Sequence, residues 1–241
     1  MTRIISVISV LALCFTFVGL ASAVILFEDD FEDQALGNEP EGWEYDPAAE
    51  VNTVGQVAED PLDPDNKVFT DFGGYSAGNG MQLTDFVAEW DWMFFQDNSS
   101  NNSMGFRVVD AGNHYQLSRR GGGVDWKIYM FNGAWNEIAT NAFPTEIDTW
   151  YRVQLIAKGD LFTVKVKEKD DDTPFADLDP VLEVNDNTYG EGAFQTSYYG
   201  PIDNVIIADS EQDILAVEPS VSCIRTWGDI KKELKSGKIS P

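Results

Sequence analysis

Between residues 25 and 208 the chain is broken into short runs rich in β-branched and aromatic residues, each ended by Gly, Asn, Asp or Pro, and this punctuation dictates the fold class. The runs are Ile25 to Glu28, Val51 to Ala58, Lys67 to Phe72, Asp85 to Phe95, Met104 to Val109 and Asn113 to Arg119. They continue with Val124 to Phe131, Trp135 to Thr140, Trp150 to Ala157, Leu161 to Lys169 and Ile202 to Ala208. None carries the 3.6-residue period of a helix, so no helix is available to cross between parallel strands. Strands without intervening helices pair antiparallel, and a chain of this size then closes as a sandwich. The clearest alternation lies in Asp85 to Phe95. Phe86, Ala88, Trp90, Trp92 and Phe94 share one face, expected to be core, while Glu89 and Asp91 share the other, expected to meet water or a ligand.

The first 23 residues read as a secretory signal: Arg3, an apolar stretch from Ile4 to Leu20, then Ala21-Ser22-Ala23. The product expected is a secreted protein, extracellular or periplasmic. No later stretch approaches the length of a membrane-spanning helix. Beyond the signal Cys223 is the sole cysteine, so core packing rather than an internal disulfide must hold the fold. The net charge of −25 disfavours nucleic acid and anionic membranes as partners. The acidity is densest in Phe27-Glu28-Asp29-Asp30-Phe31-Glu32-Asp33, where repulsion calls for a metal, a ligand or water. The last residues reverse the trend: Arg225, Lys231, Lys232, Lys235 and Lys238 outnumber Asp229 and Glu233, and Trp227, Ile230 and Leu234 share a helical face. A short basic helix is expected there, as a docked tail or one read by another protein. The organisation is thus a signal over 1–23, one β domain over 24–209, and a linker and tail over 210–241.

Five stretches carry a resemblance: Gly105-Phe106-Arg107 to Asp110 with Asn113-His114-Tyr115-Gln116-Leu117; Thr149-Trp150-Tyr151-Arg152-Val153; Gly159-Asp160-Leu161-Phe162-Thr163-Val164; Ile202-Asp203-Asn204-Val205-Ile206; and the opening Asp29-Asp30-Phe31-Glu32 with Trp43. Together they resemble the laminin-G-like, concanavalin A-like lectin and glucanase domains of exported bacterial proteins, over about residues 25 to 209. The resemblance implies an antiparallel jelly-roll β-sandwich. It also implies a structural calcium ion joining the first and last strands through Asp30 and Asp203, with backbone carbonyls, Asp29 or Glu28 completing the six to eight oxygens calcium takes.

Catalytic patterns are incomplete. The retaining glucanases of this superfold carry E-x-D-x-x-E on one strand, whereas Glu89-Trp90-Asp91 is followed by Phe94 where the acid belongs, and alternate strand positions set Glu89 and Asp91 roughly 7 Å apart, wider than a retaining pair. Gly74-Tyr75-Ser76-Ala77-Gly78 spells a nucleophile elbow, but a turn and strand follow it instead of a helix. His114 is the sole histidine, which excludes a zinc site built on two or more imidazoles. Sugar recognition needs only aromatic faces and polar groups. Arg107, His114, Arg119, Trp126, Tyr129, Trp135 and Tyr199 are the expected ligand-binding residues. The expected function is a non-catalytic carbohydrate-binding or adhesion module whose partner is a glycan or polysaccharide. A carbohydrate-active hydrolase of the glucanase or 3-keto-disaccharide type, or a matrix protein without a sugar ligand, stand as alternatives.

Overall fold

The computed structural model describes residues 24–46, 55–71, 74–94, 102–120, 124–198 and 200–217. The signal segment, Tyr199 and the basic tail with Cys223 lie outside them. Among the described residues fifteen strands form two antiparallel sheets. In chain order they are β1 (Ile25–Asp29), β2 (Trp43–Tyr45), β3 (Gln56–Glu59), β4 (Lys67–Asp71), β5 (Tyr75–Ser76), β6 (Phe86–Met93), β7 (Asn102–Asp110) and β8 (Asn113–Arg120). There follow β9 (Asp125–Asn132), β10 (Trp135–Ala142), β11 (Trp150–Lys158), β12 (Leu161–Glu168), β13 (Leu182–Asn185), β14 (Ala193–Tyr198) and β15 (Gly200–Ala208). The first sheet runs β13-β12-β11-β6-β15-β4-β3, with β1 also on β15; the second runs β10-β9-β8-β7-β14-β5-β2. This is the all-β antiparallel jelly-roll sandwich expected. Each run named above contributes residues to a strand among those described, Val51 to Ala58 through Gln56 to Ala58, while β2, β5, β13 and β14 escaped the pattern.

The core lies between the sheets and is aromatic. Phe86, Ala88, Trp90 and Trp92 of β6 face Met104, Phe106, Leu117, Trp126 and Ile128 of the second sheet, and all are buried. Trp92 meets Trp126 edge-on with ring centroids 6.0 Å apart, and Phe106 meets Phe162 at 5.1 Å. Such edge-to-face contacts add to area burial as the largest favourable term. A smaller cluster forms on the outside of the first sheet, where Val87, Ala208, Ile156 and Ile25 make an apolar row under Ile214 of a helix, Glu211–Val217. Ser210 Oγ donates to the Asp213 carboxylate at 2.7 Å at the start of this helix, and Asp213 N–H donates back to the Ser210 carbonyl at 3.1 Å. This short helix is acidic in its first turn and precedes the tail; the sequence pattern had pointed to a basic one near its end, which lies outside the described residues.

The acidic opening is accommodated by backbone geometry. Phe31 takes φ 56° and drops its ring fully into the core between Trp43 and Phe69. The turn is fixed by Asp29, whose carboxylate accepts from Phe31 N–H (2.8 Å), Gln34 Nε2 (2.6 Å) and Trp43 Nε1 (2.9 Å). Burial raises the Asp29 pKa against those three hydrogen bonds. The ends of the domain are joined by strand pairing: Phe27 to Asp29 of β1 pair with Ile207 to Val205 of β15.

Candidate functional site

The outer face of the first sheet holds a buried ion network. Register places Asp203 beside Asp91 and Asp91 beside Arg152, with Glu89 beside Gln154 one row along. Arg152 Nη1 donates to Asp91 Oδ1 and Nη2 to Glu89 Oε2, both at 3.2 Å, and Lys169 Nζ lies 2.8 Å from Asp91 Oδ2. Gln154 Nε2 donates to Glu89 Oε1 at 2.7 Å, and Asn204 Nδ2 to Asp91 Oδ2 at 2.8 Å. Burial opposes both cations, yet the carboxylates outweigh it and hold Arg152 and Lys169 above their ordinary pKa values. The expectation that Glu89 and Asp91 face water or a ligand is therefore corrected: they are 3% and 2% exposed and paired with Arg152 and Lys169. Alternation identified their face but not the cations that close over it.

Asp203 belongs to this network. It is 1% exposed and accepts from Asn204 N–H (2.7 Å), Asn204 Nδ2 (2.8 Å) and Asn66 Nδ2 (3.1 Å), with Lys169 Nζ at 3.6 Å. Burial pushes its pKa up to about 6, against the Asn66 hydrogen bond and Lys169. Asp30 is exposed, and its carboxylate accepts from Glu32 N–H at 3.2 Å. A carboxylate ringed by N–H donors and an ammonium does not fit a shared calcium ion, so the Asp30 and Asp203 pair does not supply the ligand set the resemblance implies. Among the described residues no three His, Cys, Asp or Glu side chains gather as a metal site.

The outer face of the second sheet is different in kind. One row crosses all seven strands: Glu44 of β2 lies beside Ser76 of β5, Ser76 beside Gln195 of β14, Gln195 beside Gly105 of β7, Gly105 beside Gln116 of β8, Gln116 beside Tyr129 of β9, and Tyr129 beside Glu137 of β10. On either side of Gln116, β8 presents His114, Ser118 and Arg120 to the same face. His114 Nδ1, Ser118 Oγ and Arg120 Nε are all buried without a hydrogen-bond partner. Buried polar atoms are usually paired, so three unpaired ones on one face of one strand stand out, as do Trp90 Nε1 and Trp126 Nε1 in the core. Burial lowers the His114 pKa below its ordinary 6.5, partly offset by the Asp110 backbone, so its ring is neutral at pH 7.

An aromatic platform stands at one end of this face. The hairpin between β9 and β10 turns at Gly133, φ 83°, and sets Trp135 against Phe131 with ring centroids 4.5 Å apart. His114 lies 5.6 Å and Tyr129 5.8 Å from the Trp135 ring, both edge-on. Trp135 is 50% exposed, the most open aromatic side chain among the large hydrophobics of the described residues. Arg120 covers the other face of the neighbourhood, its guanidinium 4.8 Å from the Tyr129 ring centroid, and Lys127 pairs with Glu137 at 2.7 Å.

Thus the structure brings together His114, Tyr129 and Trp135 of the expected ligand-binding residues. Three others are corrected. Arg107, 1% exposed in a bulge of β7 with φ 45°, donates to the Thr84 carbonyl (3.1 and 2.8 Å) and the Tyr189 carbonyl (3.1 Å) and lies over Phe162. Arg119, 2% exposed, donates to Thr145 Oγ1 (2.7 Å) and its carbonyl (3.2 Å) over the Phe94 ring. Trp126 is fully buried between the sheets. All three point inward because each sits on the core parity of its strand or on a bulge that reverses it. Tyr199 lies outside the described residues. Sequence reasoning missed Phe131, Gln116, Ser118 and Gln195; the alternation of His114, Gln116, Ser118 and Arg120 was the available signal. The Gly-Tyr-Ser-Ala-Gly string is strand and turn: Ser76 ends β5, Gly78 and Asn79 take left-handed φ values of 59° and 53°, and Ser76 Oγ accepts from Gln195 Nε2 at 3.1 Å.

No protein-family model and no curated protein sequence matches the chain. Among solved structures it is similar to carbohydrate-binding module CBM66 from Bacillus subtilis, at 20% identity over 68% of this chain and 91% of that one, with a TM-score of 0.48. It is similar to domain 4 of AbnA, an extracellular GH43 arabinanase from Geobacillus stearothermophilus solved with arabinotriose, at 14% identity, 78% and 93% coverage and a TM-score of 0.45. It is also similar to a Bacillus subtilis protein of unknown function with a galectin-like fold, at 13% identity over 78% of this chain and 97% of that one, with a TM-score of 0.51. That last likeness shows the fold: the described chain is a galectin-like β-sandwich.

Proposed function

We propose that the protein binds carbohydrate, without transforming it, on the outer face of the second sheet. The observation that carries this reading is the half-exposed Trp135, braced edge-on by His114 and Tyr129, beside the orphaned polar atoms of β8. A flat exposed indole takes the C–H face of a sugar ring, and polar groups around it take its hydroxyl groups. The other sheet supports recognition over hydrolysis, since Glu89 and Asp91 are locked by Arg152. Export, read from the first 23 residues, would bring this face to glycans outside the cytoplasm.

The test is native affinity electrophoresis in gels containing barley β-glucan, arabinan, xylan or galactan. Retardation by at least one polymer, reduced about tenfold or more in Trp135→Ala at an unchanged melting temperature, is the expected result. Release of reducing sugar from the retarding polymer would overturn the non-catalytic reading, and no retardation would overturn carbohydrate binding.

A further inference from the structure

The acidic opening of the chain frames a cavity of about 830 Å³ beside β1 and β15. Phe27 and Ile206, both partly buried, line its apolar side, and the exposed carboxylates of Glu28, Asp30, Asp33 and Glu41 surround them. Among the described residues no lysine or arginine pairs with any of these four. Lys67 of β4 donates instead to the Glu32 and Gln34 carbonyls, at 2.5 and 2.7 Å. The wall is held in shape by Gln34, whose side chain accepts from Glu41 N–H at 2.7 Å and donates to Asp29 Oδ2 at 2.6 Å. The contrast with Glu89 and Asp91 is direct, since those carboxylates have their cations within the fold. Here uncompensated negative charge surrounds an apolar floor, which fits a segment that is basic and apolar at once.

Such a segment belongs to the same chain. We infer that the tail from Trp227 to Lys238 docks in this cavity, its apolar side chains on Phe27 and Ile206 and its lysines on the carboxylates around them. The helix expected there places Lys231 and Lys235 one turn apart beside Trp227, Ile230 and Leu234, so one face carries both kinds of contact. Reach is sufficient. Ile206 lines the cavity and also packs in the apolar cluster of Ile214, so the Glu211–Val217 helix that leads to the tail already sits next to the cavity. The residues from 218 to 224 then span up to roughly 25 Å. The tail of a second molecule has the same chemistry, but a short tether holds a chain's own tail at a local concentration on the order of millimolar, which favours docking within one molecule. None of this depends on sugar binding.

The experiment is paramagnetic relaxation by NMR on the isotope-labelled chain from residue 24 to 241, carrying Cys223→Ser and a nitroxide on Ser236→Cys, far along the tail from the Glu211–Val217 helix. Expected is at least a twofold loss of amide intensity over Phe27 to Asp33 relative to the reduced label, unchanged on dilution. Lys231→Glu/Lys235→Glu should abolish the loss, as should about 0.5 M salt, where screening acts within a few ångströms. Glu28→Lys/Asp33→Lys, at exposed positions of the cavity, should abolish it likewise. The amide signals of β6 and β11 serve as the check that each variant is folded. Intensity lost evenly over the whole surface, or none lost, would overturn the docking. Loss that survives both charge-reversed variants would overturn the cavity as its seat, and loss that fades on dilution would assign the cavity to the tail of a second copy.

Discussion

Both outer faces of the sandwich place polar side chains at alternate strand positions, and they treat them in opposite ways. On the first sheet Glu89, Asp91, Asp203, Arg152 and Lys169 are spent on one another, with Gln154 Oε1 the one orphan among them. On the second, His114, Ser118 and Arg120 keep buried nitrogens and a hydroxyl without partners, beside an indole open to solvent. Polar residues alone therefore do not mark a binding face; what sets the second sheet apart is the indole left open to solvent.

The contrast is most exposed to failure at Arg152. Arg152→Ala leaves Glu89 and Asp91 buried without their shared cation, and a loss of about 3–5 kcal/mol in urea unfolding is expected, with sugar affinity of the folded protein unchanged. A loss of sugar affinity instead would place the site on the wrong sheet. Next comes pH. Because the folded state raises Asp203 from 3.8 to about 6, it holds this proton more tightly than the unfolded chain does, so the Asp203 contribution favours folding below pH 3.8 and is lost as pH rises through about 6. Stability of the parent relative to Asp203→Asn should fall across that window by up to about 3 kcal/mol, measured by denaturant titration at each pH. A flat difference would show that Asp203 does not titrate there.

On the second sheet the effects shift from stability to affinity. Trp135→Ala should lower sugar affinity about tenfold at an unchanged melting temperature, while Ser118→Ala, which deletes an orphaned hydroxyl at 0% exposure, should hold stability or raise it by about 1 kcal/mol or less and leave affinity unchanged. A clear destabilisation would mean that the hydroxyl is used within the fold. The smallest change expected is Lys127→Ala, which breaks a pair with the exposed Glu137 and should cost roughly 0.2–1 kcal/mol in thermal melts, fading at high salt.

Most strands were legible because they alternate or are β-branched, but parity across bulges was not. Trp126 and Trp135 are the same residue type nine positions apart near the same hairpin; one is fully buried and the other half exposed because register pairs Trp126 with Arg119 and Trp135 with Phe131. The irregularity between Glu137 and Ala139, like the one at Arg107, flips facing in a way that local pattern does not encode. β14 escaped notice since Ala193–Tyr198 becomes a strand only by pairing with β7 and β5, distant in sequence. The ion network was half visible: Glu89 and Asp91 stood out together, whereas Arg152 and Asp203 reach them only through strand pairing.

The pairing of β1 with β15 also determines how the domain responds to tension. Ile25 lies opposite Ala208, so the start of β1 and the finish of β15 emerge side by side at one end of an antiparallel pair. A pull applied through the two chain ends is directed across the strands rather than along them. The load then falls on one ladder hydrogen bond at a time, and the pair peels open like a zipper at low force instead of resisting in shear. Peeling frees Asp29 from its place beside Val205, and with it the turn that seats Phe31, so mechanical release at the ends propagates first into the aromatic core under Trp43.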